Sequence, residues 1–350
     1  MAAARPDSFT ASEDSSLDSL TQIALGAAVG EATLGRRIGR RAMLWGAVCG
    51  TLPDLDVLVP LGGVVEDFTF HRSWSHSLLV MAALTPLMVW LILKVHPQTR
   101  QHRWRWHVLV YLVFATHALL DSFTVYGTQI FWPLPRAPES WSTVFIIDPA
   151  YTVPLLLGVI AAWIFGRRRA SWAAGANAVG LALSTLYLGW TVAAKWHVED
   201  QVRASLARQG VQYERLLTTP APFNTLLWRV VAVDSDAYYE GFYSIVADEG
   251  DIALARYPSA TALLEPLEVS WAVQRLRWFT RGFYAVSQIG ESVVMTDLRM
   301  GVEPDYIFRF VVGEVGNPHP RPVTPRAVPA TPRFDRLGWV WRRIWDAGAD

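Results

Sequence analysis

Charged residues are scarce in this 350-residue chain, at 18% of the total against roughly 25% in soluble domains. The net charge is zero, so the composition predicts no bulk attraction to nucleic acid. One cysteine, Cys49, excludes an internal disulfide and does not report the redox compartment. A basic N-terminal region is also missing, because residues 1–21 carry acidic side chains. We therefore expect no cleavable signal peptide.

Apolar residues and tryptophan are abundant instead. Hydrophobic residues make up 52% of the chain, the mean hydropathy is +0.21, and the 17 tryptophans are typical of membrane interfaces. Four apolar runs approach the roughly 20 residues that a membrane-spanning helix needs: 77–95, 106–123, 151–165 and 173–194. Two shorter runs, 23–34 and 42–52, predict short spans or a re-entrant hairpin. After a polar N-terminal tail at 1–21, we expect an α-helical membrane bundle over 22–196, with about four to six transmembrane or re-entrant helices.

Basic residues mark one end of this bundle. Eleven of them lie in connections that the spans place on one face: Arg36, Arg37, Arg40, Arg41, Lys94, Arg100, Arg103, Arg105, Arg167, Arg168 and Arg169. The opposite connections, 53–76 and 124–150, contain only Arg72 and Arg136. Because basic loops stay in the cytoplasm, we expect a multi-pass protein of the inner (plasma) membrane, with everything from about residue 197 onward extracytoplasmic.

The second half of the chain has a different pattern. Alternating, β-branched and aromatic segments predict strands, which lie at 226–234, 238–247, 282–289, 292–297 and 306–312. A helix is predicted over 267–279. Residues 197–315 are therefore expected to form a small α+β extracytoplasmic domain. The last segment, 316–350, combines a proline-rich, extended and partly disordered tail with a short amphipathic helix over 337–345, expected on the membrane or on the domain.

Three polar clusters lie at the ends of the apolar runs, and each of two of them contains a pair of candidate site residues. His117 and Asp121, in Thr-His-Ala-Leu-Leu-Asp, are four residues apart, so they share one face of a helix. That spacing suits two ligands of one metal ion, an aspartate that orients a ligand histidine, or a buried pair without metal. Asp54 and Asp56, in Leu-Pro-Asp-Leu-Asp, repel each other unless a cation lies between them or one stays protonated. The alternative interpretation of that pair is an ordinary polar helix end without a functional role.

The third cluster, His-Arg-Ser-Trp-Ser-His-Ser, precedes the first long run. His71 and His76 are metal-ligand types, Arg72 suits a phosphate or carboxylate clamp, and the serines alternatively cap the next helix. The topology brings all three clusters to one membrane face, where ionisable residues are usually functional. Together they offer enough ligands for one divalent metal ion, or two. Glu31, a further acid in an apolar run, joins them or pairs with a nearby arginine.

These clusters resemble, in order and spacing, the YdjM/YbcI-type (DUF457-like) family of inner-membrane metal-dependent hydrolases. The resemblance covers roughly residues 18–165 and includes Ser-Phe-Thr-Val-Tyr-Gly at 122–127 and Phe-Trp-Pro at 131–133. The family is distantly similar to zinc-dependent phospholipase C and P1-type nucleases, which implies phosphoester hydrolysis. The site residues that the resemblance implies are Asp54, Asp56, His71, His76, His117 and Asp121. Many members have a histidine where this chain has Gln22, so a ligand is missing or Glu31 replaces it.

The sequence thus predicts a membrane-bound metal-dependent hydrolase with a divalent ion, Zn²⁺ or Mn²⁺. The predicted ligands are His71, His76, His117 and Asp121, with Asp54, Asp56 and Glu31 as further candidates. Asp54 or Asp56 would bind a second ion or act as general base, and Arg72 would stabilise developing negative charge. A site at the lipid bilayer favours an amphiphilic or lipid-linked phosphoester substrate. The alternative is a non-catalytic membrane protein with a structural metal or polar site and a partner-binding outer domain.

Overall fold

The computed structural model describes residues 14–166, 169–330 and 337–349. Three segments with sequence predictions lie outside the described residues: 1–13 of the N-terminal tail, Arg167 and Arg168 of the basic face, and 331–336 of the proline-rich tail. The described chain consists of a helical N-terminal half followed by a β-rich half. This order agrees with the predicted membrane bundle and outer domain at the level of fold class.

Helices form the first half of the chain. Helices α1 to α8 are, in order, Asp14–Gly30, Arg36–Ile38, Arg40–Thr51, Val64–Phe70, Leu78–Val95, Arg103–Ser122, Pro149–Phe165 and Ala170–Arg208. Short 3₁₀ turns and a π-helical turn link several of them. Polar residues set two of the starts. The Ser77 side chain accepts a hydrogen bond from the Val80 amide at the start of α5, and Asp148 accepts one from Ala150 at the start of α7, which satisfies amides that lack a helical partner.

Helices α1 and α3 pack in direct backbone contact because glycine lines both of them. A Cβ atom at Gly26 would lie 2.2 Å from the Gly46 carbonyl oxygen, and one at Gly46 would lie 2.1 Å from the Gly26 carbonyl oxygen. Small residues allow such close approach between helices in apolar surroundings. The same contact brings the backbone of Gln22, on α1, against Gly50 near the end of α3.

Gly46→Ala is expected to destabilise the bundle, because the new methyl group would overlap the Gly26 carbonyl and push α1 away from α3. Overpacking of this kind costs roughly 1–3 kcal/mol, and we expect a lower midpoint of thermal unfolding in detergent. Gly189→Ala in α8 is the matched control, since no described atom of another helix lies within 4 Å of a Cβ there. Equal midpoints for the two variants would contradict the tight contact.

Two of the described helices, α5 and α8, are long and apolar enough to cross a membrane, fewer than the four to six predicted. Helix α7 is apolar but has 17 residues, and α6 begins with the charged Arg103 and Arg105. The exposed Trp172 and Trp190 are 18 residues apart on α8, about 27 Å along a helix. This is close to the roughly 30 Å hydrocarbon core of a bilayer, so these tryptophans are suited to mark its two borders.

The helices place all three polar clusters at one end of the bundle. Helices α3 and α6 end there, and α5 and α7 begin there; we call it the site end. The opposite end, the basic end, carries the described members of the predicted basic face: Arg36, Arg37, Arg40, Arg41, Lys94, Arg100, Arg103, Arg105 and Arg169. Assignment of the basic end to the cytoplasm rests on the charge rule alone.

Helix α8 continues without a break from the membrane segment into the β-rich half, through the predicted domain boundary at residue 197. Its outer part packs through Val198 and Val202 against Trp228 and Val230. The sheet on which it packs has the antiparallel order β1-β2-β3-β4. These strands are Arg215–Pro220, Leu227–Val233, Ala237–Ser244 and Leu254–Pro258. The continuous helix therefore couples the bundle directly to the first sheet.

A second sheet follows helix α9 (Trp271–Phe279), with the order β10-β9-β6-β5. The strands β5 to β10 are Tyr284–Ile289, Ser292–Asp297, Gly301–Val302, Asp305–Tyr306, Arg309–Glu314 and Arg321–Ala327. Among the described strands, β7 and β8 pair only with each other. Strand β10 lies inside the segment predicted as an extended tail, because its backbone pairs with β9, a long-range contact that the proline-rich sequence does not reveal. Helix α10 (Leu337–Trp345) is the last described helix.

The β-rich half packs against the site end. Arg299, held by Asp297 at 2.7 Å, donates a hydrogen bond of 2.8 Å to the Tyr126 carbonyl, in the loop after α6. Arg275 of α9 donates a 3.0 Å bond to the Thr69 hydroxyl of α4. A shared hydrophobic core, which includes Tyr126, fills the space between these contacts. The β-rich half therefore touches the loops that carry the predicted site residues.

Candidate metal centre

Four predicted site residues converge at the site end. Asp54 follows α3, His76 precedes α5, and His117 and Asp121 lie one turn apart on α6. One donor atom of each lies within 4.8 Å of the donor atoms of the other three. The side chains of His76, His117 and Asp121 are at most 2% exposed, whereas Asp54 is 19% exposed. We call these four residues the His/Asp group; solvent reaches it mainly through Asp54.

The two imidazoles of the group face each other through Nε2 atoms that are 3.1 Å apart. On the other side of His117, Nδ1 lies 2.8 Å from the Gly50 carbonyl oxygen. Because a carbonyl only accepts hydrogen bonds, this Nδ1 carries a proton. Neutral His117 therefore presents a lone pair at Nε2. The α1–α3 contact that fixes Gly50 thus also fixes the histidine tautomer.

Two linked hydrogen bonds orient His76 in the same way. The Ser75 hydroxyl donates its single proton to Asp56 Oδ2 at 2.5 Å. Its oxygen therefore accepts from His76 Nδ1, 2.9 Å away, and neutral His76 also presents a lone pair at Nε2. Two lone pairs at this separation repel each other unless a proton or a metal cation lies between them. Such outer partners commonly fix the tautomer of metal-binding histidines.

Two side chains that contact Oδ1 of Asp121 orient this carboxylate so that its Oδ2 faces the two imidazoles. Gln22 Nε2 donates to Asp121 Oδ1 at 3.0 Å, and Arg72 Nη2 lies 3.5 Å from the same atom. Asp121 Oδ2 lies 3.0 Å from His76 Nε2 and 3.3 Å from His117 Nε2, yet makes no hydrogen bond of acceptable geometry among the described residues. A buried polar atom left in this state is costly, and a shared cation would satisfy it.

The spacing of the donor atoms fits one divalent ion. Asp54 Oδ1 lies 3.5 Å from His76 Nε2 and 3.4 Å from His117 Nε2. Four ligands at the usual Zn–N and Zn–O distances form a tetrahedron with edges of about 3.3 Å. The group could therefore hold a metal ion with two nitrogen and two oxygen donors. This donor set is compatible with several divalent metals and does not choose among them.

Protons compete with a cation for this position. Burial disfavours a charged His76, but the carboxylates of Asp121 and Asp54, 3.0 and 3.5 Å from its Nε2, raise its pKa above the ordinary value. In the absence of metal, the carboxylates therefore draw protons onto the imidazoles. A metal ion that enters must displace these protons, as is general for histidine ligands.

Asp56 and His71, both predicted as ligands, form a separate pair beside the group. Asp56 accepts from His71 Nδ1 at 2.8 Å, from the Ser75 hydroxyl, and from the Arg72 amide at 3.0 Å. Burial alone would raise the pKa of Asp56, but these hydrogen bonds and the nearby imidazoles lower it to about 2. His71 is 25% exposed and lies edge-on to Tyr126. Its Nε2 has no hydrogen-bond partner within the described part of the chain.

Arg72 is buried and held by protein groups. Its guanidinium lies near Asp121, hydrogen-bonds to the Thr124 hydroxyl at 3.3 Å and lies 5.5 Å from the centre of the Tyr126 ring. Its backbone adopts φ +58°, a left-handed conformation that is uncommon without glycine and that clusters at functional sites. The bond from its amide to Asp56 stabilises this conformation. In this position Arg72 orients Asp121 from behind.

Glu31 does not join the His/Asp group. It is buried in the π-helical turn Glu31–Gly35, nine residues beyond Gln22 along the same helical run, or about 13 Å by helical rise. Gln22 is the residue that touches Asp121. The structure therefore gathers four of the seven predicted metal ligands, places Asp56 and His71 beside them, and leaves Glu31 towards the basic end.

Two supporting contacts of the centre have no counterpart among the sequence predictions. They are the bond from Gln22 to Asp121, and the link that Ser75 makes between Asp56 and His76. The first bond joins residues 99 positions apart and the second joins residues 19 apart, so no local pattern specifies either. A polar residue inside an apolar helix was the available signal for Gln22.

Comparison with known proteins gives one match, and it covers the whole group. The model of the YdjM inner membrane protein family matches residues 17–198, more than half of the chain. All four members of the His/Asp group lie within this range, and both helices that are long and apolar enough to cross a membrane begin within it. No curated protein and no solved structure matches the chain. The family match, the apolar helices and the polar clusters at their ends agree, and the chain belongs to the YdjM inner membrane protein family.

Proposed function

We propose that the protein is a metal-dependent hydrolase that cleaves a phosphoester of an amphiphilic or lipid-linked substrate at the extracytoplasmic face of the inner membrane. The observation that carries the proposal is the convergence of two imidazole lone pairs and two carboxylates on one point, with Asp54 accessible at 19% exposure. A divalent ion in this group, expected to be zinc or manganese, would polarise a phosphoryl oxygen and acidify water.

His71 is the residue best positioned to transfer a proton. Its Nδ1–H donates to Asp56, so Nε2 carries a lone pair, and its ring centre lies 6.2 Å from that of His76. We infer that Nε2 accepts a proton from the attacking water as the water oxygen bonds to phosphorus. The same proton then passes to the leaving oxygen as the P–O bond breaks. Asp56, whose pKa is about 2, is a poor base and instead orients His71.

Apolar side chains next to Asp54 support an amphiphilic substrate. The side chains that follow it are between 44% and 73% exposed: Leu55, Val57, Leu58 and Val59. An exposed apolar patch beside a polar site is typical of a lipid or partner contact. A substrate could keep its hydrocarbon chain in the bilayer while its phosphate reaches Asp54. Soluble phosphate esters would gain nothing from this surface.

Hydrolysis can be tested with the full-length protein in mixed micelles of phosphatidic acid, phosphatidylglycerol or a polyprenyl phosphate, with Zn²⁺ or Mn²⁺ supplied. We expect metal-dependent product release, followed by mass spectrometry. His71→Gln should lower the rate by about 10²–10⁴-fold and leave the metal content unchanged. His107→Gln on α6 is the control, because this half-buried histidine lies at the basic end and its described hydrogen bond is to the Arg103 carbonyl.

Two results would count against the proposal. If metal-loaded protein released no product from any of the three lipids, phosphoester hydrolysis would lose its support. If the His71→Gln variant were as active as the control, His71 would be removed from proton transfer, although the metal site would stand.

A structural metal site is the second candidate, and the number of ligands favours it. Structural zinc sites are usually closed by four protein ligands, whereas catalytic sites keep a position for water. X-ray absorption spectroscopy on metal-loaded protein separates the two. Four protein donors that do not change when inorganic phosphate is added would favour a non-catalytic protein whose outer half binds a partner. An extra oxygen that phosphate replaces would favour the hydrolase.

A further inference from the structure

Helix α10 is fastened to the first sheet along one face. Ile344 is 1% exposed, and the Ser244 hydroxyl donates a 2.6 Å hydrogen bond to its carbonyl oxygen. Arg343 donates to both oxygens of Asp248, at 2.8 and 2.6 Å. This bidentate, largely buried ion pair holds α10 in one orientation. The helix is therefore a fixed part of the β-rich half.

A second face of α10, next to the packed one, is apolar and exposed. Leu337, Trp341 and Trp345 are 37%, 65% and 56% exposed. They are spaced four residues apart, so they form one stripe along the helix. The rings of Trp341 and Trp345 lie edge to face at 6.2 Å. A rigid pair of exposed indoles is unfavourable in water and favourable where an apolar ring borders a polar phase.

This exposed stripe lies close to the membrane border. Ile344 packs with Ala221 and Leu227, in and beside the turn between β1 and β2. In that same turn, the Thr225 hydroxyl accepts a 3.1 Å hydrogen bond from the Trp190 indole. Trp190 is the tryptophan suited to mark the site-end border of the apolar segment of α8. One turn therefore connects α10 to the level at which α8 leaves the bilayer.

A second contact places the same turn against the bundle. Phe223, 40% exposed, packs its ring 5.6 Å from that of Phe145, which precedes α7 at the site end. The Tyr187 hydroxyl of α8 lies 3.1 Å from the Thr225 hydroxyl and donates to Asp148, which caps α7. Residues of α8 and of the start of α7 thus hold the turn, and α10 lies near the level at which a membrane crossed by α8 would end.

We propose that Trp341 and Trp345 insert into the headgroup region of the bilayer that α5 and α8 cross, with α10 as an interfacial anchor of the β-rich half. The occupant of the stripe is the lipid surface, because the turn between β1 and β2 that packs on Ile344 also contacts Trp190, which is suited to mark the membrane border. Amphipathic helices rich in tryptophan bind at this depth. The anchor fixes the orientation of the β-rich half over the site end, and it requires neither metal binding nor hydrolysis.

Spin labelling of the full chain in nanodiscs of phosphatidylethanolamine and phosphatidylglycerol tests this anchor. Single cysteines are introduced by Trp341→Cys and, separately, Gly338→Cys in a Cys49→Ala background. Ala207→Cys is the control, 17 residues beyond Trp190 on α8, or about 25 Å further out. Collision with molecular oxygen and with a water-soluble nickel chelate is measured for each label.

Labels at positions 338 and 341 are expected to collide with oxygen but to be shielded several-fold from the nickel chelate relative to position 207. The Gly338→Cys variant keeps both tryptophans, and no described atom lies within 4 Å of a Cβ there, so its result does not depend on the loss of an indole. Equal access of the nickel chelate at 338, 341 and 207 would place the stripe in water. Shielding from both reagents would show cover by protein, such as a second copy of the chain. Either result would overturn the proposal.

Discussion

Replacing His117 with alanine is expected to abolish metal retention while the membrane bundle still folds. Its Nε2 lies 3.1 Å from His76 Nε2, 3.3 Å from Asp121 Oδ2 and 3.4 Å from Asp54 Oδ1, so it is central to the donor set. Loss of an outer-shell partner alone costs roughly 10–100-fold in metal affinity, and loss of a ligand should cost more. Elemental mass spectrometry of detergent-purified protein should show near-stoichiometric metal in the parent and only a trace in the variant.

His107→Ala is the matched control, because it removes the same side chain from a half-buried position at the basic end of the same helix. Its metal content should equal that of the parent. Full occupancy in His117→Ala would remove His117 from the ligand set. If that variant did not fold, Ser75→Ala would probe the same centre without removing a ligand, since it breaks the bond that orients His76. It should weaken metal affinity by roughly 10–100-fold.

Glu240→Leu should have the largest effect on the stability of the β-rich half. The side chains of Glu240 and Arg229 are 7% and 4% exposed. Glu240 accepts from Arg229 Nε at 3.1 Å, from the Tyr306 hydroxyl at 2.6 Å and from the Glu303 amide at 3.1 Å. Removal of the carboxylate leaves the guanidinium buried without its counter-charge, which typically costs about 3–5 kcal/mol. The midpoint of thermal unfolding should fall by roughly 10 °C.

The exposed pair Arg256–Asp236 provides the comparison, because its side chains are 52% and 71% exposed. Exposed ion pairs contribute little to stability, so Asp236→Ala should leave the midpoint unchanged. The double variant Arg229→Leu and Glu240→Leu should recover part of the loss, since the unpaired buried charge is gone. An unchanged midpoint for Glu240→Leu would show that this network does not support the fold.

The sequence determined the positions of the chemistry-bearing residues along the helices. Hydropathy placed His117 and Asp121 near the end of one apolar run and His76 before another. In the structure, α6 ends just after Asp121 and α5 begins just after His76. Two local rules made this possible: apolar length predicts a helix, and i to i+4 spacing places two residues on one face. The strands Leu227–Val233 and Ser292–Asp297 followed from alternation in the same way.

Hydropathy overestimated the number of spans for a physical reason. Charged residues lower the hydropathy at the start of α6, and α7 is short. Two described helices therefore have the length and hydropathy needed to cross a membrane. The short α1 and α3 contact each other through glycine, so their apolar faces are satisfied by the neighbouring helix. Periodicity cannot distinguish a helix buried among helices from one that faces lipid.

Tertiary structure alone decided which polar residues share the centre. His71 and His76 look alike in the sequence, yet His76 enters the His/Asp group while His71 pairs with Asp56. The backbone of Arg72 at φ +58° turns the chain between them. Asp54 and Asp56 are also similar in the sequence, yet Asp54 belongs to the His/Asp group and Asp56 lies outside it. Which histidine and which aspartate enter the group depends on hydrogen bonds and burial between segments far apart in the chain. Local residue patterns do not encode these contacts, because the free energy of a buried donor depends on its partners.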